Sequence, residues 1–585
     1  MKHCQSRADR KKWPLGLLTL GLAGGLWVSP ASAQTAGQIV QPTYAPPMEK
    51  AAGGGFDLPG SVGLTAPAGA DAVFVSPSDL VVEGELPRLA AASEAARARI
   101  AGRRVSAAEL FEAAAALEAA YAREGYLLVR VSLPPQVVRD GMPVRFVVTD
   151  GYVEAIDVSA LSPHVKGRVY GTLEPLVGKR GVRKAELERR LLLATDTAGA
   201  NLRSTLKAGA TAGGTVIVVN GTYRPVQGGI GVNNGLSQNL GTVSAGANVR
   251  FNSLFGLGET AYFSVNGYPG TDDANMLSSD PRNRQIAAGF ILPLGHDGAW
   301  LNIEGVDSQT NPDNDYGFLI SDHFQRLSTR LGYELVRSRD VNLTVSAIFD
   351  VTNETQTLVV PGEQVPFSED RLRVIRLQQE GSWLFGASSQ LSGTATFSVG
   401  LDAFGARSGT DDLPLSRYGA QPNFQKLAGS LNYSQRILNG LALFQVSAVA
   451  QTSFAKALPA SEQISIGGAG QISSYDQGTV SGDTGAVGRL EVSLPVQMPN
   501  FGAAKWLDTT IWPYAFAAAG IVQLEDPTAF ETSTEQAAAV GLGLRIALNE
   551  ASGLRNAVVS LEYAHGSDSV VGHQDRVNLS VGASF

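Results

Sequence analysis

Charge is scarce in this chain and cysteine almost missing. Asp, Glu, Lys and Arg make up 17% of its 585 residues, and the single cysteine is Cys4. A charged fraction well below the usual ~25% argues against a disordered acidic tail, a coiled coil or a nucleic-acid-binding arm, each of which is built from charged residues. It also sits poorly with a large soluble enzyme, whose exterior would carry more charge. Long apolar runs are lacking too: beyond the first 33 residues the long uncharged stretches, 437–455 and 509–524 among them, are interrupted by Asn, Gln, Ser, Thr or Pro. Neither reads as a transmembrane helix. No GxxxxGK[ST] loop is present to cradle a phosphate and no Gly-x-Ser-x-Gly elbow to carry a nucleophile. The six histidines, His3, His164, His296, His323, His565 and His573, show no metal-ligand spacing. Glycine, by contrast, is plentiful at 66 residues, roughly 11% against a usual ~7%. Two kinds of molecule fit this balance: several domains with polar but uncharged surfaces, or a structure whose outside faces lipid.

The N-terminal segment points to export. Lys2, Arg7, Arg10, Lys11 and Lys12 precede an apolar run from Trp13 to Val28, and Ala31-Ser32-Ala33 closes it with the small-x-small pattern of a cleaved secretory signal. The run is shorter than the ~20 residues of a spanning helix. Cleavage is expected after Ala33, and Cys4 leaves with residues 1–33. The exported chain then has no disulfide or thiol chemistry in an oxidising compartment. Loss of five basic residues and Asp9 makes it more acidic than the −8 of the full chain. Binding to nucleic acid or anionic lipid by charge is therefore disfavoured.

Four regions follow. Residues 34–70 hold Pro42, Pro46, Pro47, Gly53–Gly55, Pro59 and Pro67 with little periodicity, the composition of a linker, which leaves little support for a plug helix. Residues 71–150 read as a small α+β unit. Ser106-Ala107-Ala108-Glu109 is a capping box ahead of Leu110, Leu117 and Tyr121 at helical spacing, and Asp140-Gly141 is a turn before a strand at 144–148. Residues 151–225 repeat the plan with a strand at 153–158, a leucine-rich helix at 185–195 and a strand at 216–219. From 226 to 585 the pattern becomes alternation broken by Gly, Asn, Asp and Ser turns. Val540, Leu542, Leu544, Ile546 and Leu548 alternate with other residues, and Val577, Leu579, Val581, Ala583 and Phe585 share one face of the last strand. Apolar-out, polar-in segments of ~10 residues are the mark of an outer-membrane barrel, and about 16 strands would receive about 22 residues each, connection included. A soluble β-sandwich or propeller is the alternative with the same period.

Local strings carry a family resemblance. Tyr121, Gly125-Tyr126, Leu133-Pro134, Gln136 and Asp140-Gly141 resemble a POTRA (polypeptide-transport-associated) domain, and Leu187-Glu188-Arg189 with 191–193 and Gly199 resembles a second. In the last region come Gly256-Leu257-Gly258-Glu259, Leu292-Pro293-Leu294-Gly295, residues 458–463 leading to Ile466-Gly467-Gly468, and Gly482-Asp483-Thr484-Gly485. In this order they resemble the two-partner secretion transporters of the ShlB/FhaC/HecB type over residues 71–585. The resemblance implies a membrane β-barrel of about 16 antiparallel strands behind two POTRA domains, with no catalytic, metal or cofactor site. Its expected partners are an unfolded secreted exoprotein, outer-membrane lipid and the barrel assembly machinery, for which terminal Phe585 is the signature. Nucleotide and nucleic acid are not expected. An assembly factor that inserts other barrels, or a plain diffusion pore, are the alternative functions.

One departure stands out. Where the family carries an aliphatic-Arg-Gly-aromatic tip on a loop folded into the barrel, this chain has Ile472, Ser473, Ser474 and Tyr475. The facing Phe-x-Asp motif reads Phe516, Ala517, Ala518, ahead of Gly520. Loss of both charges together costs far less than loss of one, which predicts a loop anchored by uncharged contacts. The competing alignment gives the role to Arg489, although that residue lies in a strand-like run before Glu491 and not at a tip.

Overall fold

A computed structural model of the chain describes residues 34–46, 66–313, 319–360, 363–386, 388–498, 507–550, 555–570 and 572–585. The expected signal segment and its cleavage point lie outside the described residues.

The first described element is α1 (Ala36–Ile39), a single turn in a stretch that composition alone assigns to a linker. An α+β unit follows, built from β1 (Phe74–Val75), β2 (Leu80–Glu83), α2 (Ala90–Ile100), β3 (Val105–Ser106), α3 (Ala107–Arg123), β4 (Arg130–Ser132) and β5 (Val144–Thr149). The capping box forms: Ser106 Oγ accepts from the Glu109 amide at 3.2 Å, and the Glu109 carboxylate accepts from the Ser106 amide. Leu110, Ala113, Leu117 and Tyr121 then recur on one face of α3 and pack on the three-stranded sheet β2-β5-β4 around Phe146. Each large side chain buried there contributes about 1.5–3 kcal/mol. The second unit comprises β6 (Tyr152–Asp157), α4 (Pro163–Leu173), α5 (Lys184–Thr195), β7 (Ala200–Ala208) and β8 (Gly214–Tyr223), with sheet order β6-β8-β7 and its own core. Helices α2 and α4 escape a reading by periodicity, because their buried faces include Ser93 and Thr172 and are apolar only in part.

The rest is a closed antiparallel barrel. Its wall runs through β9 (Val226–Asn233), β10 (Ser244–Asn252), β11 (Thr260–Gly267), β12 (Asn283–Leu294), β13 (Ala299–Thr310), β14 (Leu319–Arg337), β15 (Val341–Val360), β16 (Glu363–Phe385), β17 (Ser389–Gly400), β18 (Gln425–Ile437) and β19 (Ala442–Thr452). After a two-stranded ribbon of β20 (Ile464–Ser465) and β21 (Ser481–Gly482) it resumes with β22 (Thr484–Ser493), continued by β23 (Val496–Met498). Strands β24 (Leu507–Gln523), β25 (Thr534–Glu550), β26 (Asn556–Asp568) and β27 (Gly572–Ser584) complete it. Strands β22 and β23 share one place against β24, so the wall has sixteen positions.

Alternation decides which side of each strand faces outward. Val540, Leu542, Val577, Leu579 and Val581 are exposed on the outside, while Glu562 and Ala564 of the adjacent strand are buried within. Closure of β27 on β9 rests on the pairs from Ser580↔Asn233 to Ser584↔Gly229, extended by mutual backbone bonds of 2.9 Å between Phe585 and Gly228. The 23 residues of β16 exceed the ~9–11 that a bilayer-spanning strand requires.

The second α+β unit docks on one rim of the barrel. Asp196, at the end of α5, takes both ends of the Arg337 guanidinium at 2.7 and 2.8 Å, and Glu188 accepts from the Arg339 amide. Arg189 and Arg190 donate to the carbonyls of Glu334, Asp297 and His296 at the turns below β12 and β14. Charged side chains on one partner thus meet backbone acceptors and paired charges on the other, a junction more polar than a domain core.

Candidate functional site

Two segments of the chain fill the lumen. From one end comes 34–46. Thr35 and Gln38 form a reciprocal capping box that closes α1, and its first amides point at the wall. The Ala36 amide donates to Asp322 Oδ2 at 3.1 Å and the Gly37 amide to Glu354 Oε1 at 3.0 Å, acids on β14 and β15 that suit the positive end of a helical turn. Beyond the helix the Tyr44 amide and the Thr43 hydroxyl both reach Glu304 on β13, and Tyr44 OH donates to Gln285 at 2.7 Å. The helix fits only because residue 37 has no side chain: a Cβ there would stand 2.4 Å from Glu354 Oε1 and 2.8 Å from Ser461 Cβ. So the linker expected at 34–70 has a plug in its described part, anchored by carboxylates that composition does not reveal.

The other segment, 453–483 between β19 and β22, folds inward from the far rim. Its base is held by Asp483, fully buried, which pairs with Arg417 and accepts from the Leu458 and Glu525 amides at 2.9 and 2.7 Å. Glu462 receives Arg376 and Lys426, each at 2.6 Å, and Arg376 also meets Asp350 at 2.6 Å. Asp350, Arg376 and Lys426 lie at inward positions of β15, β16 and β18, so alternation could have found them had the polar set of each strand been followed as closely as the apolar set, whereas Glu462, Asp483 and Arg417 lie in connections that have no such period.

At the tip the predicted residues come together. Gly467 bridges to Ile472, and the Gly468 amide donates to the Ile472 carbonyl. Ile472, Ser473, Ser474 and Tyr475 are all buried, and Tyr475 OH donates to the Gly572 carbonyl at 2.6 Å. Phe516 and Ala518 belong to the same packed cluster as Ile472 and Tyr475, and Gly520 leaves room for Ile466.

The anchoring, however, is not uncharged. Ser473 Oγ donates to Glu562, and the Asn578 amide holds the Ser473 carbonyl at 2.9 Å. Glu562 also takes Arg489 Nη2 at 2.6 Å and Tyr514 OH at 2.7 Å. Arg489 stands directly opposite Ala518 across the β22–β24 pair, with its guanidinium 3.6 Å from the centre of the Phe516 ring. The guanidinium further approaches the Gln471 carbonyl at 3.4 Å and Ser473 Oγ at 3.5 Å, and Glu491 joins it to Arg545. Here the cation is supplied by the barrel wall and the loop contributes a hydroxyl. The sequence offers Arg489 only through the competing alignment, because it is not at a tip; an inward strand position next to a short tip residue serves equally well.

The two lumen segments also touch each other. Gln34 Nε2 donates to the Gln477 carbonyl at 2.5 Å and Gln477 Nε2 to the Gln38 carbonyl at 3.1 Å. Release of one therefore removes partners of the other.

The remaining predicted landmarks lie in the first α+β unit, away from the lumen. Tyr121 is fully buried and accepts from the Leu86 amide. The Gly125 carbonyl takes the Lys184 amide of the second unit at 2.7 Å, and Tyr126 lies beneath Arg183. Asp140 accepts from the Ser76 amide at 2.7 Å and Gly141 donates to the Ser76 carbonyl at 2.9 Å, which fixes the turn before β5. Among the described residues no cluster of His, Cys, Asp and Glu is arranged to hold a metal ion.

Comparison with known proteins places the sequence and the fold. The sequence model of haemolysin secretion/activation proteins ShlB/FhaC/HecB matches residues 213–546, and that of the ShlB-type POTRA domain matches residues 80–151. The chain is 24% identical over 401 residues to the outer membrane transporter CdiB of Escherichia coli O6:K15:H31 (strain 536 / UPEC), covering 66% of this chain and 63% of that protein. It is 22% identical over 433 residues to the heme/hemopexin transporter protein HuxB of Haemophilus influenzae (strain 86-028NP), covering 71% of each. The fold is similar to a solved structure of CdiB from Escherichia coli, with a TM-score of 0.65 and 19% identity over 90% of this chain and 94% of that one.

Proposed function

The chain belongs to the ShlB/FhaC/HecB family of haemolysin secretion/activation proteins, and from that membership we propose that it carries an unfolded exoprotein across an outer membrane by two-partner secretion. One observation carries this reading: the closed barrel holds two segments of its own chain in its lumen, each tied by side-chain contacts that can open without unzipping a wall strand. A wall of paired strands satisfies its own backbone in lipid, while a polar interior lets an extended chain cross with its backbone solvated.

In this reading the α+β units stand in the periplasm of a Gram-negative cell, the second as well as the first acting as a POTRA domain. Strands β2, β4, β6 and β7 are the edges of the three-stranded sheets of the two units. Addition of an extended cargo segment to such an edge uses main-chain hydrogen bonds that any sequence offers. Outer-membrane lipid surrounds the barrel, the barrel assembly machinery inserts it, and β27, which closes the wall on β9, is the strand that machinery would meet. The protein performs no catalysis and uses no nucleotide; folding of the cargo outside the cell draws it through.

The test is export from cells that carry this chain and the exoprotein frame beside its gene. Removal of residues 71–150 is expected to stop release of the exoprotein while the barrel still inserts, as read by heat-modifiable gel mobility. Undiminished release would refute capture by the first unit, and no release by the intact chain would refute transport.

A further inference from the structure

The lumen is unevenly lined. Acids and arginines concentrate on β13–β16, where Glu304, Asp322 and Glu354 hold the plug, and on β22–β26, where Arg489 and Glu562 hold the loop. Strands β9–β11 are different. Ile230, Val232, Phe251 and Phe263 face outward, so the inward set consists of Gln227, Gly229, Gly231 and Asn233, then 244, 246, 248, 250 and 252, then 260, 262, 264 and 266. Among these described positions there is no Asp or Glu, and the one cation, Arg250, donates to Gln227 at 2.9 Å.

We infer that this amide-lined wall, beside the β9–β27 closure, is a binding track for the backbone of an extended polypeptide entering the barrel. The inference rests on the transport reading and names the part of the lumen the cargo follows.

Four observations converge on it. First, the wall borders a cavity of about 840 Å³ that is also lined by residues 195–202 of the second α+β unit and by the plug exit 41–46. It therefore runs from the docked unit into the barrel. Second, the amides lie along the wall and do not block it: Asn248 is paired with Gly229 and Asn266 with Gly246 on the neighbouring strand. A Cβ at residue 246 would stand 1.9 Å from Asn266 Oδ1, and one at residue 229 would stand 3.0 Å from Asn248 Nδ2. Glycine at 246 is what lets the Asn266 amide lie flat, and glycine at 229 spares the Asn248 amide a tight contact. Third, Ser264 Oγ, which borders this cavity, is buried and makes no hydrogen bond among the described residues. Fourth, the asparagine amide both donates and accepts, which matches the N–H and C=O that every peptide unit presents. With no acid and a single cation already bonded to Gln227, the wall selects little for charge, and it binds weakly enough for a chain to move on, the condition any conducting site must meet.

A second run of uncharged inward residues, Ser392, Asn432 and Ser447, lies on β17–β19. Its cavity, about 460 Å³, is shared with Arg489, Glu491 and Arg545 and touches no residue of the α+β units. It lacks the connection that the first wall has.

The test uses the full chain without Cys4, carrying a single cysteine at residue 248, 266 or 432. The probe is an uncharged 20-residue peptide of Gly, Ser, Thr and Asn with one central activated disulfide, and the readout is mixed-disulfide formation. Coupling through N248C and N266C is expected to exceed that through N432C by about tenfold, because binding beside a thiol raises its effective concentration. Heat-modifiable gel mobility verifies that each variant is folded. Faster coupling through N432C, or equal or absent coupling at all three positions, would overturn the track. If the cysteine-free parent still exports its exoprotein in that case, the transport reading stands and only the path is wrong.

Discussion

Replacing Glu562 with Gln is the sharpest probe of the lumen loop. The Glu562 carboxylate receives Arg489 at 2.6 Å, Tyr514 at 2.7 Å and the Ser473 hydroxyl, and its side chain and that of Arg489 are 9% and 5% exposed. Breaking a buried ion pair by removing one partner costs about 3–5 kcal/mol, since the other charge is left without compensation. Arg489 keeps Glu491 at 3.2 Å, which places the expected cost near the lower figure. About 3 kcal/mol corresponds to roughly a hundredfold shift in population. The part of that cost borne by loop docking is isolated by Ser473→Ala, which removes a hydrogen bond to a charged group worth about 1.5–3 kcal/mol. The assay is current through single barrels in a planar bilayer, with the fraction of time in the high-conductance state as the readout. Both single variants are expected to raise that fraction. The double variant is expected to fall short of their sum, because both changes act through one carboxylate. Strict additivity, or an E562Q barrel as closed as the parent, would refute the assignment of Glu562 as the loop's anchor. Ser473→Arg bears on the same geometry: the new cation would stand beside Arg489, so it should open the barrel, and adding Ala518→Asp should restore closure in part. An S473R barrel no more open than the parent would contradict it.

The plug has its own test in Gly37→Val, whose side chain would enter the space of Glu354 Oε1 and Ser461; higher basal conductance with unchanged heat-modifiable mobility is expected, and unchanged conductance would show that residues 34–46 do not obstruct the lumen. At the rim, burial and then the neighbouring Arg168 lower the pKa of His296 from its ordinary 6.5. Docking of the second α+β unit is then complete above about pH 6.5 and weakens as pH falls from there through the lowered value, because the undocked histidine binds its proton first. Protease sensitivity of the 223–226 junction should rise over that window, and a His296→Gln chain should lose the dependence. In detergent, far-ultraviolet circular dichroism should be dominated by β structure; a mainly helical spectrum would contradict the barrel.

The unequal legibility of these parts has a physical cause. A strand that faces lipid on one side must repeat apolar residues at every second position, so Val577, Leu579 and Val581 announce a wall without any knowledge of its neighbours. A capping box is local as well, and Ser106 and Glu109 mark the start of α3 within four residues. The lumen obeys no such rule. Asp322 and Ala36 are 286 residues apart, Ser473 and Glu562 are 89 apart, and each pair forms only after the barrel has closed. What the sequence does contain is a trace of the geometry. Ala518 removes bulk opposite Arg489, and Gly246 removes it opposite Asn266. Small residues at inward positions are thus as informative as charged ones, because each marks a place where a side chain from the next strand needs the room. Read in that way, a serine at the loop tip and an alanine at 518 are not the remains of a lost ion pair. They are the space and the hydroxyl that a cation mounted on the wall requires, and the same logic of bulk yielded to a neighbour marks the glycines of β9 and β10 as the bed of an amide surface.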